Sequence, residues 1–308
     1  MTSTDTGRRS GSSCPLCGGG EAKPLFLKSG YSIVRCSTCG LQHVKPMPTD
    51  DEVRAHYQDP GYFRGGGDQG YDDYAQVRKA LVPLFRRRMQ QIATAFPQSG
   101  RLLDYGCAAG YFLEVARESG WDVVGLEISE NMAEQTARRL GVRVGFSLQD
   151  LAGQRFEVVT LWEVVEHLRD PVHVLGELRG LLRPNGLLAL STPNTGHWQA
   201  ESQTASWDGY RPPSHLTFFT AVTLKRLLTQ SGFTGVSITR TAPLPPLPRW
   251  LERLSVPLRQ SVASGRARPW PLALLAWRAV RLLGWAWQQL EMPDLDIYAT
   301  LEAVARRG

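Results

Sequence analysis

The sequence predicts an α/β protein: a doubly wound, mostly parallel sheet with helices on both faces, preceded by a small four-cysteine module. Three observations carry this expectation. From residue 101 onward, short apolar runs alternate with stretches of helical length and helical periodicity, the pattern of βαβ units rather than of hairpins. Those runs are near-continuously apolar, as strands covered on both faces must be. Four of the five cysteines fall as two CxxC pairs, a spacing that suits a metal better than disulfides.

Residues 1–13, "MTSTDTGRRSGSS", read as a flexible start. No apolar segment stands behind them, so a secretory signal is not expected and a cytoplasmic, reducing compartment is. Residues 14–46 read as a zinc ribbon. Cys14 and Cys17 in "CPLCGGG", with Cys36 and Cys39 in "CSTCG", place two sulfurs on each of two tight turns. Gly18 and Gly40 allow the backbone to close those turns. Four thiolates complete a tetrahedral shell with no open position, so this zinc would be structural. Four unrelated thiols would not show matched spacing and matched glycines, and His43 is surplus as a ligand.

Residues 47–95 read as a helical connector, with Tyr57, Tyr62, Tyr71 and Tyr74 either lining a pocket or packing the connector onto the main domain. A basic amphipathic helix, "AQVRKALVPLFRRRMQQIATAF", closes it. Residues 96–242 form the core. Its expected strands are "RLLDYG", "DVVGLEIS", "VRVGFS", "FEVVTLWE", "LLALSTP" and "GVSITRTA". The helices between them are "YFLEVARESG", "ENMAEQTARRLG", "VHVLGELRGLL", stopped by "RPNG", and "TAVTLKRLLTQSGF", with Thr220 as N-cap. Residues 243–290 interrupt the pattern as a helical insertion, and 291–308 supply the closing strand.

Apolar content of 42% and charged content of 21% are ordinary for a globular chain. The net charge of +6 is local, because Arg249 to Arg281 contains seven arginines against Glu252 alone. A basic whole-protein surface for nucleic acid is therefore not indicated. Within the insertion, "WPLALLAWRAVRLLGWAW" is long enough to suggest a membrane span, but Pro271, Arg278 and Arg281 oppose one. Its Trp and Arg pattern suits either a helix in the lipid headgroup layer, at the inner face of the membrane, or a cap packed on the core or between subunits.

The first strand and turn, "LLDYGCAAGYFLEVA", hold Asp104, Gly106 and Gly110. The glycine spacing differs from the GxGxxG of dinucleotide sites. A carboxylate there would repel a pyrophosphate and attract a sulfonium and an amino group, which points to S-adenosylmethionine. Glu127, at the end of the second strand, stands where an acid grips ribose hydroxyls.

Together, "LLDYGCAAG", "VVGLEIS", "FEVVTLWEVVEHLRDP", "LLRPNGLLALSTPN" and "HLTFFTAVTLKRLLTQSGF" resemble the class I S-adenosylmethionine-dependent methyltransferases. The resemblance covers roughly residues 95–242 and implies a Rossmann-like seven-stranded sheet whose last strand is antiparallel. Ala108 replaces the middle glycine of the family's DxGxGxG turn, which implies a slightly tighter loop with binding kept. Asp150, after the third strand, is placed near the adenine. With the ribbon in front, the layout also resembles bacterial methyltransferases acting on nucleotide-linked sugars and natural products.

The turn "EVVEH" carries Glu163, Glu166 and His167. If helical, it sets all three on one face. Its ExxEH spacing resembles ubiquinone-pathway O-methyltransferases and small-RNA 2′-O-methyltransferases, which implies a magnesium or manganese ion held by Glu163, Glu166, His167 and His215. The other reading is an acid that only orders the loop. As general base the sequence favours His215, then His167, then His197, since imidazole titrates near neutrality. The expected acceptor is a hydroxyl or carbon of a small molecule, a sugar or a lipid-linked compound. The alternative is an RNA-directed methyltransferase or nucleic-acid-binding protein that uses the ribbon and the arginine-rich insertion.

Overall fold

The computed structural model describes residues 13–59, 74–241 and 300–308, together with Leu275, Ala279 and Leu282. The ribbon forms three antiparallel strands: β1 (Ala22–Lys28), β2 (Tyr31–Cys36) and β3 (Gln42–Lys45). Ser29 and Gly30 join β1 to β2 with φ of 49° and 82°, the backbone that a two-residue hairpin turn requires.

Helix α1 (Asp50–Gln58) opens on a capping box between Thr49 and Glu52, with Asp50 and Asp51 favourably placed in its first turn. Helix α2 (Tyr74–Ala95) follows. Phe85, Met89 and Ile92, at i, i+4 and i+7, bury one stripe of α2 against the core.

The core then alternates as expected: β4 (Arg101–Tyr105), α3 (Tyr111–Glu118), β5 (Asp122–Leu126), α4 (Glu130–Leu140), β6 (Arg143–Gly145), β7 (Phe156–Trp162), α5 (Pro171–Leu181) and β8 (Leu182–Pro193). A short helix α6 (Trp198–Gln203), strand β9 (Thr217–Phe218), α7 (Ala221–Gln230), β10 (Phe233–Thr241) and β11 (Thr300–Arg307) complete it. Caps fix the helix ends. The Asp170 carboxylate accepts from the His173 amide at the start of α5, and Thr220 with Thr223 caps α7.

The large sheet runs β10-β11-β8-β7-β4-β5-β6, with β4 to β8 parallel and β11 antiparallel to both neighbours. Leu102, Leu103, Val158, Val159, Leu188 and Leu190 are all buried, so both faces of the central strands are covered. Strand order reverses between β4 and β7. The crevice beyond their carboxyl ends is where such a sheet receives a ligand.

One local expectation differs. "RPNG" does not separate helix from strand, because β8 begins at Leu182, directly after α5. The excess residues form an irregularity in which the partner of β7 jumps from Leu182 to Leu187. Asn185 takes a left-handed φ of 62° there. The closing strand is Thr300–Arg307; residues 291–299 and the insertion 243–290, apart from the three named above, lie outside the described residues. Among the described residues no helix is long and apolar enough to cross a membrane.

The ribbon shares its sheet with the core. Strand β9 pairs with β3, Gln42 facing Phe218 and His43 facing Thr217. Leu16 and Leu41 are fully buried in one apolar cluster with Leu224, Leu227 and Leu228 of α7. Burying each such leucine contributes about 1.5–3 kcal/mol. Gln230 Nε2 also donates to the Leu16 carbonyl at 3.1 Å.

Candidate functional site

The four ribbon sulfurs converge. Cys14 Sγ lies 3.5 Å from Cys39 Sγ, and Cys17 Sγ 3.5 Å from Cys36 Sγ; all four lie within 4.8 Å of one another. A tetrahedral zinc with bonds of about 2.3 Å sets its sulfurs roughly 3.8 Å apart, so the donor set fits that ion. Gly18 and Gly40 hold left-handed φ of 75° and 77°, as the knuckle turns require.

A cavity of about 1000 Å³ opens beyond the carboxyl ends of β4, β5 and β7. Gly106, Ala108, Glu127, Gln149, Trp162 and Glu163 line one end of it. The turn after β4 needs its glycines. Gly106 has φ 75°, and a Cβ there would stand 2.6 Å from Val164 Cγ2. Gly110 has φ 69°, and a Cβ would stand 2.6 Å from Thr136 Cγ2. Ala108 also takes a left-handed φ, 44°, which explains why its position is usually glycine. Glu127, 4% exposed, ties this turn together: Ala108 N donates to Oε2 and Ser129 N to Oε1, each at 2.9 Å. A carboxylate has about four lone-pair sites, so two hydroxyls of a ribose can still bond to it. Burial raises its pKa, and the amides of Ser129 and Ala108 oppose that.

Asp104 does not line the cavity. It lies beneath the turn, where Thr160 Oγ1 donates to its Oδ1 at 2.7 Å. Burial pushes its carboxyl up to about 7 against the Thr160 bond. The unfolded chain releases this proton near pH 4. The folded state therefore loses stability as pH rises from about 4 to about 7, and the loss is complete above that. Asp104→Asn keeps the shape and the acceptor oxygen. It is expected to stabilise the ligand-free protein by roughly 2–4 kcal/mol at pH 8 and hardly at all at pH 4. Denaturant titrations at the two pH values check this, and equal effects at both would show that the charge is not the cause.

Glu163 follows β7, but the expected helical face does not form there. Its amide donates to both the carbonyl (3.1 Å) and Oγ (3.2 Å) of Ser191 on β8, so the chain is still held in the ladder and must turn sharply. Glu163 does so with φ 56°. Its carboxylate accepts from Ser191 Oγ at 2.6 Å. Glu166 and His167 lie beyond, in a separate 3-10 turn, Val165–His167.

Without Glu163, a tighter cluster forms. One atom each from Glu166, His167 and His215 lies within 4.8 Å of the others. The His167 and His215 rings meet edge to face, centroids 4.8 Å apart. His215 Nδ1 bonds the Gly209 carbonyl at 2.8 Å, which leaves Nε2 as its basic atom. His167 Nδ1 is 2.5 Å from the Tyr57 hydroxyl, and its Nε2 is 3.9 Å from Glu166 Oε1. Both Glu166 oxygens are buried without a hydrogen-bond partner among the described residues. Burial, with Glu163 nearby, drives the Glu166 carboxyl well up. Burial, with His215 nearby, drives His167 well down, and burial lowers His215 to about 4.

The cavity wall includes His167 and Tyr57 but not His215 or Glu166, which stand behind. His197 is buried after β8, near Trp207, and does not line the cavity. Asp150 is spent on its own turn, accepting from the amides of Phe146 and Ser147; its neighbour Gln149 lines the cavity instead. Tyr62 and Tyr71 lie outside the described residues.

Behind Trp162 the sequence reading missed Arg88, the one buried Lys or Arg among the described residues. It stacks 4.4 Å from the Trp162 ring centroid and bonds Glu302 Oε1 at 2.9 Å. Asp104, Glu127, Glu166 and Glu302 are buried as well; Glu302 also accepts from Arg87, and of the four only Glu127 lines the cavity.

A switch-point crevice with a glycine turn and a buried acid on the next strand defines the class of α/β proteins that hold a nucleoside cofactor. A family profile described as "Methyltransferase domain" matches residues 75–238, more than half of the sequence, and the chain belongs to that family. It is 38% identical over 114 residues to the ubiquinone biosynthesis O-methyltransferase of Cereibacter sphaeroides, covering 34% of this chain and 46% of that protein. With the protein of the same name from Methylococcus capsulatus it is 33% identical over 133 residues, 40% and 55% of the respective chains. The chain thus spans about half the length of these curated relatives. Among solved structures it shares its fold with an S-adenosylmethionine-dependent methyltransferase from Archaeoglobus fulgidus, at TM-score 0.51 and 19% identity over 77% of this chain and all of that one. It likewise matches Haemonchus contortus phosphoethanolamine N-methyltransferase 2 in complex with S-adenosylmethionine, at TM-score 0.51 and 14% identity, covering 86% and 61% of the chains.

Proposed function

We propose that the protein transfers the methyl group of S-adenosylmethionine to a hydroxyl oxygen of a small-molecule acceptor, sugars and lipid-linked compounds included. The observation that carries this reading is the continuity of one cavity, from the Gly106–Glu127 turn to His167. Oxygen is preferred over carbon because both relatives named above are O-methyltransferases.

Bound S-adenosylmethionine supplies an electrophilic methyl on a good leaving group, so placement of the acceptor carries most of the rate. Glu127 and the turn hold the nucleoside end. His167, neutral at pH 7, takes the hydroxyl proton at Nδ1, either itself or through the Tyr57 hydroxyl bonded there. Glu166 Oε1, 3.9 Å from Nε2, is the carboxyl oxygen that the protonated ring faces. His167→Ala is expected to lower turnover by at least ~100-fold, the usual worth of a general base, with S-adenosylhomocysteine affinity within threefold. Unchanged turnover would remove His167 from the chemistry. The reading as a whole is tested by calorimetry: no heat from S-adenosylmethionine or S-adenosylhomocysteine, with a pyridine nucleotide binding well, would overturn it.

One observation favours a second arrangement at the same place. The partnerless Glu166 oxygens, with imidazoles of His167 and His215 beside them, suit a magnesium or manganese ion. Of these three residues only His167 lines the cavity, so such an ion would act on the acceptor end through that ring. Activity surviving exhaustive chelation, with ribbon zinc shown to be retained, would exclude it. We assign zinc to the four cysteines as a structural ion. The nucleic-acid alternative is weakened by Lys28, one of the few ribbon cations, whose Nζ is drawn inward to the Trp207 carbonyl at 3.1 Å.

A further inference from the structure

The ribbon does more than stack on the core; it enters the cavity. Pro15 stands between the sulfur ligands Cys14 and Cys17, and Met47 lies just past β3. Both line the same cavity as Gly106 and Glu127. Pro15 is buried and Met47 half-buried. Met47 packs with Val53 of α1 on the apolar cluster of Ile33, Val44 and Trp207, so the ribbon's own core sets its place. Leu168 and Val174 also line the cavity, and both pack on the cluster that holds Cys14 and Leu16. Charged groups in this wall are largely engaged already. Asp50 pairs with Arg169, and the Asp170 carboxylate accepts from the His173 amide; Asp51 and Arg54 are exposed. The ribbon also reaches the histidines through the backbone. Val44 N donates to the Leu216 carbonyl at 3.0 Å, and Leu216 N donates to the Glu166 carbonyl at 2.8 Å. Val44, Leu216 and Glu166 are all buried, where water does not compete for such bonds. Two bonds thus join β3 to the neighbours of His215 and His167.

We infer that the four-cysteine ribbon is the acceptor-selecting wall of the site: Pro15 and Met47 touch the body of the acceptor, and β3 steadies the turn from which His167 meets its hydroxyl. The inference rests on the reading that this cavity takes S-adenosylmethionine at the Gly106–Glu127 turn. It narrows the acceptor to a hydroxyl carried on an apolar body, a ring or a chain. Such a body leaves water for Pro15, Met47, Leu168 and Val174, whereas a body rich in hydroxyl groups would lose hydrogen bonds against them. The sulfurs that hold the first knuckle therefore hold Pro15 as well, which ties specificity to the ribbon and leaves cofactor binding to the core.

The test uses the full-length, zinc-loaded protein carrying 13C at its methionine methyl groups, with Met47 assigned from Met47→Leu. The probes are S-adenosylhomocysteine, phenol as an apolar ring with one hydroxyl, and methyl glucoside as a polar one. Phenol added to the S-adenosylhomocysteine complex is expected to move the Met47 methyl resonance and the His167 imidazole resonances together, and methyl glucoside at equal concentration to move neither. Met47→Trp crowds the wall. It should keep zinc content and S-adenosylhomocysteine affinity within twofold of the parent, while the phenol concentration that moves His167 rises at least tenfold. Phenol that moves His167 but not Met47, with no weakening in Met47→Trp, would overturn the ribbon's role and leave the cofactor reading intact. A response to methyl glucoside as strong as that to phenol, or none to phenol, would overturn the apolar acceptor. Absence of S-adenosylhomocysteine binding in the parent would overturn the cofactor reading and this inference with it.

Discussion

Replacing Cys36 and Cys39 together by serine is expected to abolish the zinc binding proposed for the ribbon and to remove at least ~5 kcal/mol of stability, seen as a melting temperature lower by roughly 10 °C or more. The size follows from what the ribbon is attached to. Four-thiolate zinc shells contribute about 10–16 kcal/mol of apparent binding energy in small modules, and two lost ligands remove most of it. The consequence does not stop at the ribbon, because Leu16 and Leu41 share a cluster with α7 and β3 pairs with β9. Strand β9 begins two residues after His215, so loosening β3 also frees the second imidazole of the site. Scanning calorimetry with a metal assay reads both effects. Cys107→Ser is the control: Cys107 is outside the sulfur cluster, and its replacement should leave zinc content unchanged. A double variant that lacks zinc yet melts as the parent does would show that the ribbon sulfurs carry no structural load.

Features fixed by short-range chemistry were legible in the sequence, and those fixed by distant partners were not. Strand runs, the Thr220 cap, the CxxC knuckles and the glycine turn all depend on neighbours within a few residues. The antiparallel last strand came from the family resemblance rather than from the residues of β11 themselves. In contrast, the left-handed turn at Glu163 depends on Ser191, 28 residues away, and no local pattern around "WEVVEH" announces it. Arg88 pairs with Glu302 across 214 residues, and only the register that sets Glu302 opposite Ser191 brings that pair behind Trp162. The sequence ranked His215 above His167 by its place in the chain; His167 lines the cavity and His215 does not, which is why the proposal above gives the proton to His167. Asp104 was read as a charge facing the cofactor; the fold instead buries it under the turn with Thr160. Tyr57 stood among four tyrosines with nothing to single it out until α1 set it against His167.

Glu127→Ala is expected to weaken S-adenosylhomocysteine binding by about 100-fold or more, near 2.7 kcal/mol. Two losses combine. Hydrogen bonds from ribose hydroxyls to a carboxylate contribute roughly 1.5–3 kcal/mol each, and the amides of Ala108 and Ser129 lose the acceptor that shapes the turn. Glu127→Gln should rescue little, because its amide group must aim an N–H₂ at one of those two backbone donors. Stability separates this from simple unfolding. Burial raises the pKa of Glu127, so removing the acid relieves a desolvation cost, while the amides of Ala108 and Ser129 lose their acceptor. The alanine variant without ligand should therefore stay folded and unfold cooperatively while binding far more weakly. If calorimetry instead found parental affinity in a folded variant, the acid on β5 would not be the ribose anchor, and the nucleoside would have to lie elsewhere in the crevice.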